Sequence, residues 1–162
     1  MNLKILENTD VDIVYDCLHN IKREDYYLSP YLNIDSFTKD FLKQSFFNYS
    51  SLFIADLEGD QVKNVVYFEL PDVFWNTKAV TILYSANKNE KDYKDFLQNA
   101  FKIISSEFED YNKILIVVKD GDDGITKTLI DLDFVNEVRL EKEINNSDVL
   151  YFSKSMKNIQ GD

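Results

Sequence analysis

Apolar residues in this chain recur at two periods, and the switches between them lay out the elements. Tyr93, Phe96, Leu97, Ala100, Phe101, Ile104 and Phe108 follow spacings of three and four, which puts one broad apolar stripe on a helix of about four turns. Val11, Val14, Leu18 and Ile21 predict an earlier helix, opened by Thr9 with Asp12 three residues on and ending near Arg23. Phe37, Phe41 and Leu42 predict another, reaching about Phe47, and Ile125, Leu129 and Leu132 a short one after the turn at Gly121 and Gly124. The remaining apolar runs are short and read as strands: residues 3–6, 52–57, 62–70, 80–85, 114–118, 134–140 and 149–152.

The order that follows is βααβββαβαββ. Glu58-Gly59-Asp60 joins two strands into a hairpin. The strand at 80–85, the long helix and the uninterrupted apolar strand at 114–118 imply a parallel crossover, while hairpins on either side are antiparallel. The expected fold is α+β, a mixed and mostly antiparallel sheet in a single domain over residues 1–156, followed by a tail at 157–162. The segment REDYYLSPYLN (23–33) has a Ser-Pro step and no period, and is read as a loop.

Composition narrows the function classes. With 162 residues, 44% hydrophobic and including 12 Phe and 10 Tyr, the chain can bury one sizeable core. Eighteen basic against 29 acidic residues give a net charge of −11, a field that repels nucleic-acid phosphates and anionic membrane surfaces. The opening residues lack an apolar signal segment, no stretch has membrane-spanning length, and the single Cys17 cannot make an internal disulfide, so a cytoplasmic location is expected.

The element order, the acidic hairpin SLFIADLEGDQVKNVVYFEL and the ending TKTLIDLDFVNEVRLEKEINNSDVLYFSKSM resemble the GNAT superfamily of N-acetyltransferases over nearly the whole chain. The ending matches that family's short helix, Gly-Phe pair and closing hairpin, with Asp133-Phe134 in place of the pair. The resemblance implies acetyl-CoA as cofactor, a small-molecule amine or a protein as the other partner, and no metal. It places the pantetheine arm along the strand carrying Leu83 and Ser85. It places the pyrophosphate at the start of the long helix, where backbone N–H groups and the helix dipole favour anions.

The family's Arg/Gln-x-x-Gly-x-Gly/Ala pattern aligns with Lys88, Lys91 and Tyr93, so both glycines are replaced and only the cation remains. No glycine occurs between Gly59 and Gly121. Glu90 and Asp92 in the first helical turn add like charge toward an anionic ligand, and Lys88, Lys91 and Lys94 are left to hold phosphate by side chain, which implies weak acetyl-CoA binding. The family's proton-donating Tyr corresponds to Leu129, and its Asn at the same helix start to Asp123 or Gly124. Glu69 is the candidate general base, unless water relays the proton. Tyr84 is the other polar group on the central strands, either catalytic or a core aromatic with a satisfied hydroxyl.

Tyr26, Tyr27 and Tyr31, with Glu24 and Asp25, lie in the connection between the first two helices, which lines the acceptor site in GNAT proteins. Three tyrosines with two carboxylates suit a cationic, polyamine-like ligand; equally, the rings can plug the core edge. Phe74 and Trp75 beside Pro71 carry the same pair of readings, interaction patch or core plug. The alternative function is a GNAT-fold protein without catalysis that binds a partner through these aromatics. Cys17 and His19, two residues apart on a helix, point about 200° from each other and cannot act together. No second His or Cys exists for a zinc site, and KDGDDG (119–124) lacks the spacing of a calcium loop, reading instead as a solvated turn and helix cap.

Overall fold

The computed structural model describes residues 1–22, 25–47, 50–59, 61–71, 78–87 and 90–159, and of Glu90, Lys91 and Asn158 the backbone alone. Eight strands and four helices follow in the order β1 (Leu3–Ile5), α1 (Val11–Asn20), β2 (Tyr26–Leu28), α2 (Lys39–Phe47), β3 (Ser51–Glu58), β4 (Gln61–Glu69), β5 (Ala79–Asn87), α3 (Glu90–Glu107), β6 (Lys113–Lys119), α4 (Asp123–Asp131), β7 (Val135–Ile144) and β8 (Ser147–Ser155). The strands form one sheet ordered β1-β3-β4-β5-β6-β8-β7, in which β5 and β6 are parallel and the other neighbours antiparallel.

Strand alternation sorts the core into two layers. Ile54, Val66, Phe68, Ile82 and Ile116 meet the α3 stripe of Phe96, Leu97, Ala100, Phe101 and Ile104 on one face. Phe53, Ala55, Val65, Tyr67 and Tyr84 meet Val14, Cys17, Leu18 and Leu42 from α1 and α2 on the other. Ile159, beyond the last strand, also packs into the first layer.

Two expectations are corrected. The segment read as a loop contains β2, which pairs antiparallel with β5 through Tyr26↔Ala86, Tyr27↔Ser85 and Leu28↔Tyr84. Three residues are too short to show a period, so the strand is set by its partner and not by its own pattern. The chain enters α1 through a 3-10 turn at Asn8–Asp10 that is organised by Glu7 and Asp10 instead of Thr9 and Asp12: the Asp10 carboxylate accepts the Glu7 N–H at 2.8 Å and the Lys4 ammonium at 2.9 Å. Asp133, at the Gly of the Gly-Phe pair, holds the left-handed backbone a glycine would supply, with φ 61°. Asn145 and Asn146, at φ 49° and 60°, close the β7–β8 hairpin as a two-residue turn of the type that favours Asn.

Candidate functional site

The parallel pair β5–β6 stays in register from Ala79↔Lys113 to Ile82↔Ile116 and then parts. A register shift in β5 opposite Tyr67 and Phe68 coincides with the parting. An added residue bends a strand and re-aims its continuation, so the parting has a local cause at Leu83. Beyond it β6 pairs with β8 alone through Val117, Val118 and Lys119, and β5 takes β2 as its new neighbour.

The gap is filled by Tyr27. Its ring is buried in the first core layer and its hydroxyl donates to the Val117 carbonyl at 2.6 Å, so it ties the β5 side of the split to β6. Burial pushes the phenol's pKa far up, which leaves the hydroxyl a permanent donor. The Ser29 N–H donates to the Leu83 carbonyl at 2.8 Å, and the Tyr31 and Tyr151 hydroxyls lie 2.8 Å apart, so the segment is fixed at three further points counting the β2–β5 pairing.

Two cavities flank this segment. The first, about 450 Å³, lies between the end of β5 (Ser85, Asn87), the first turns of α3 (Tyr93, Lys94), α4 (Lys127, Thr128, Asp131) and Asp25, Tyr26 and Tyr27. The second, about 590 Å³, lies between Tyr27, Leu28, Ser29, Pro30 and Leu32, the end of β6 (Lys119, Asp120) and the β7–β8 turn (Ile144, Asn145). Tyr27 and Asp122 line both. Asp122 is the residue before α4, its side chain makes no capping hydrogen bond, and its charge is felt at the Tyr27 hydroxyl. Asp120 beside it is held by Arg139 at 2.8 Å.

The residues singled out by sequence divide accordingly. Tyr26, Tyr27 and Ser85 come together at the first cavity, and Leu83 at the adjoining edge of β5. Tyr31 is exposed and outside both linings. Tyr84 is fully buried in the opposite layer, where its hydroxyl donates to the Cys17 carbonyl at 3.4 Å and burial raises its pKa. Glu69 is exposed opposite Thr81, four residues along β5 from Ser85 and so about 13 Å from the nearest residue of the first cavity's lining. Lys88 and the side chains of Lys91 and Glu90 lie outside the described residues, as do Glu24, Phe74 and Trp75.

Tyr93, aligned with a family glycine, is buried and its hydroxyl is hydrogen-bonded to that of Ser85; burial pushes its pKa up to about 12. Asp92 lines a different recess with Asn2, Asp56 and Lys63, so its carboxylate does not face the first cavity as the sequence implied. The sequence missed Asp122, whose signal was its place between Gly121 and the helix, and Lys127, which carried none. Leu129 is fully buried. Among the described residues no group of His, Cys, Asp or Glu is arranged to hold a metal, and no helix is long and apolar enough to cross a membrane.

No family model and no curated protein matches the chain. Solved structures do. The smu.2055 protein of Streptococcus mutans superposes with a TM-score of 0.78 at 20% identity, covering 96% of this chain and 99% of that one. A spermidine N-acetyltransferase of Vibrio cholerae, solved with CoA and spermine, gives 0.74 at 14% identity over 99% and 98% of the two chains. A ribosomal-protein-S5-alanine acetyltransferase of Vibrio fischeri gives 0.73 at 14% identity over 96% and 93%. The architecture is the GNAT N-acetyltransferase fold.

Proposed function

We propose that this GNAT-fold chain is an acyl-CoA-dependent N-acyltransferase whose acceptor is a small cationic amine. The observation that carries the reading is the parting of β5 and β6 beside the start of α3, with two cavities meeting there at Tyr27 and Asp122. A fold alone hosts many functions, so the weight rests on this split and on its lining.

The donor set of the first cavity suits the phosphates of CoA in part. Lys94 and Lys127 line it, and Lys88 and Lys91 precede it in sequence, whereas Asp25, Asp122 and Asp131 oppose an anion. Side-chain ammonium groups in water hold phosphate less firmly than buried backbone donors, which supports weak, salt-sensitive binding. Bound there, acetyl-CoA would supply an activated acyl thioester. The edge of β5 at Leu83 and Ser85, where its arm would lie, is already paired with β2 and does not accept it in this conformation.

The second cavity supports a cationic acceptor through Asp122 and the Tyr27 ring, Asp120 being held by Arg139 and Lys119 opposing. The Vibrio cholerae neighbour acts on spermidine, and a polyamine is the acceptor class this lining favours. Asp122 is the carboxylate placed to hold an ammonium at the junction, in preference to Glu69 and Tyr84, which stand away from it. The −11 net charge draws such cations toward the chain, and a cytoplasmic setting, where polyamines and CoA coexist, belongs to the same proposal.

A second reading, a binding protein that keeps the fold without the reaction, is favoured by the buried Leu129 at the position of the family's acid. Calorimetric titration with acetyl-CoA, followed by thiol release on adding spermidine, separates the two. Saturable acetyl-CoA binding with spermidine-dependent thiol release supports the transferase. Spermidine binding without any acetyl-CoA binding leaves the binding protein.

A further inference from the structure

We infer that residues 25–29 form a displaceable strap that occupies the acyl-donor slot and must leave the edge of β5 before the donor's amide-bearing arm can enter. The inference rests on the acyl-CoA reading above and adds its regulation. Strand β5 has two edges over its last residues. One pairs with β4 through Tyr84, Ser85 and Ala86, and the other is the edge that β6 abandons after Ile82. On β5 an extended arm with amide groups can dock only on the abandoned edge, because its hydrogen bonds must come from backbone groups that β4 does not pair. That edge carries β2, in register across Tyr84, Ser85 and Ala86, with the Ser29 N–H on the Leu83 carbonyl. Strap and arm therefore compete for the same backbone groups.

The strap is built for release more than for permanence. Three paired residues make a short ladder, and short strands on an edge contribute little by themselves. Its hold depends largely on Tyr27, the only residue of β2 in the α3-side core layer, whose hydroxyl donates to the Val117 carbonyl and is also hydrogen-bonded with Ser29 of the strap itself. The ring sits between the two cavities, so its withdrawal would join them and bring the first cavity's occupant within reach of the second's. Donor binding and opening toward the acceptor are thereby one event.

The test uses the full chain with Tyr26→Cys and Ala86→Cys in a Cys17→Ala background. These opposed positions pack on the same face of the sheet, so a cross-strand disulfide locks the strap and a reductant frees it. CoA is titrated into both forms by calorimetry. The expected result is that the oxidised form binds CoA at least about tenfold more weakly than the reduced form. In the native chain, CoA should speed hydrogen exchange at the Ser29 amide. Tyr27→Phe, which removes only the anchoring hydroxyl, should bind CoA about fivefold more tightly than the native chain and covers the case in which the cysteine pair does not fold. Equal CoA affinity in both forms, with Ser29 still protected, overturns the strap and leaves the acyl-CoA reading standing. Failure of the reduced pair, Tyr27→Phe and the native chain alike to bind CoA at about 1 mM overturns both.

Discussion

The Tyr27 hydroxyl donates to the Val117 carbonyl across 90 residues of sequence, in a buried bond of 2.6 Å. It is the described side-chain hydrogen bond that links β2 to β6, strands that share no ladder. Tyr27 lines both of the cavities that flank it.

Tyr27 and Tyr31 should therefore differ in their stability effects. Tyr27→Ala is expected to cost about 3 to 5 kcal/mol, as large buried aromatics do, and Tyr27→Phe about 1 kcal/mol for the lost hydrogen bond. Tyr31→Ala, at an exposed position, should stay within about 0.5 kcal/mol. Urea denaturation of the three variants gives the comparison; equal midpoints for Tyr27→Ala and Tyr31→Ala would remove the wedge role of Tyr27.

Acetyl-CoA affinity should be weak, with a dissociation constant above about 10 μM, and should weaken further with salt. The missing glycines at the start of α3 contribute as the sequence implied. Asp92 faces another recess, so further opposition comes from Asp122, Asp131 and Asp25 across the cavity and from the paired edge of β5. Asp131→Asn is the informative change: it should tighten binding about two- to fivefold at low salt and converge on the native value at high salt, read by titration at two ionic strengths.

The element order and the core stripe of α3 were legible because they are long: seven apolar residues on one helix face leave no competing reading. Site residues were legible only as a segment. Tyr26 and Tyr27 could be placed near a ligand surface, but their pairing with Ser85 and Ala86 depends on β6 leaving β5, which follows from a one-residue register shift with no sequence signature. Tyr84 shows the opposite failure. A polar aromatic on a central strand looks the same from sequence whichever face it takes, and the shift at Leu83 sends it to the α1 side.

Stability should fall steeply in alkali. Burial raises the pKa of Tyr93 from 10.0 to about 12, and raises those of Tyr27, Tyr84 and Tyr67 as well. Between the unfolded and folded values the unfolded chain has lost these protons while the folded chain keeps them. The stability contribution is thus complete below pH 10 and drains away as pH rises toward 12 and beyond. Melting temperature measured from pH 9 to 12 should decline, and Tyr93→Phe should make the decline shallower. An unchanged slope in that variant would mean Tyr93 ionises in the folded protein as it does in water.

Restoring the family's phosphate cradle is constrained by what the replaced residues now do. Sequence alignment suggests glycines at Lys91 and Tyr93, but Tyr93 is buried against Phe96 and bonded to Ser85, so Tyr93→Gly would open a cavity under α3 at about 4 kcal/mol, with about 1 kcal/mol more for lost helix propensity. Leu129→Tyr meets the same obstacle, since a fully buried leucine leaves no room for a ring and overpacking costs about 1 to 3 kcal/mol. The remaining repair is Lys91→Gly with Glu90→Gln, which exchanges the Lys91 ammonium for backbone access at the start of α3 and removes the Glu90 charge, leaving the net charge unchanged, at a cost of about 1 kcal/mol. Acetyl-CoA should then bind at least about tenfold more tightly, equivalent to about 1.4 kcal/mol, while the melting temperature falls by only about 2 to 4 °C. If affinity is unmoved although the variant stays folded, the helix start is not where binding is limited. The β2 pairing on β5 then becomes the limiting contact, and combining the repair with Tyr27→Phe should recover the gain that the repair alone withholds.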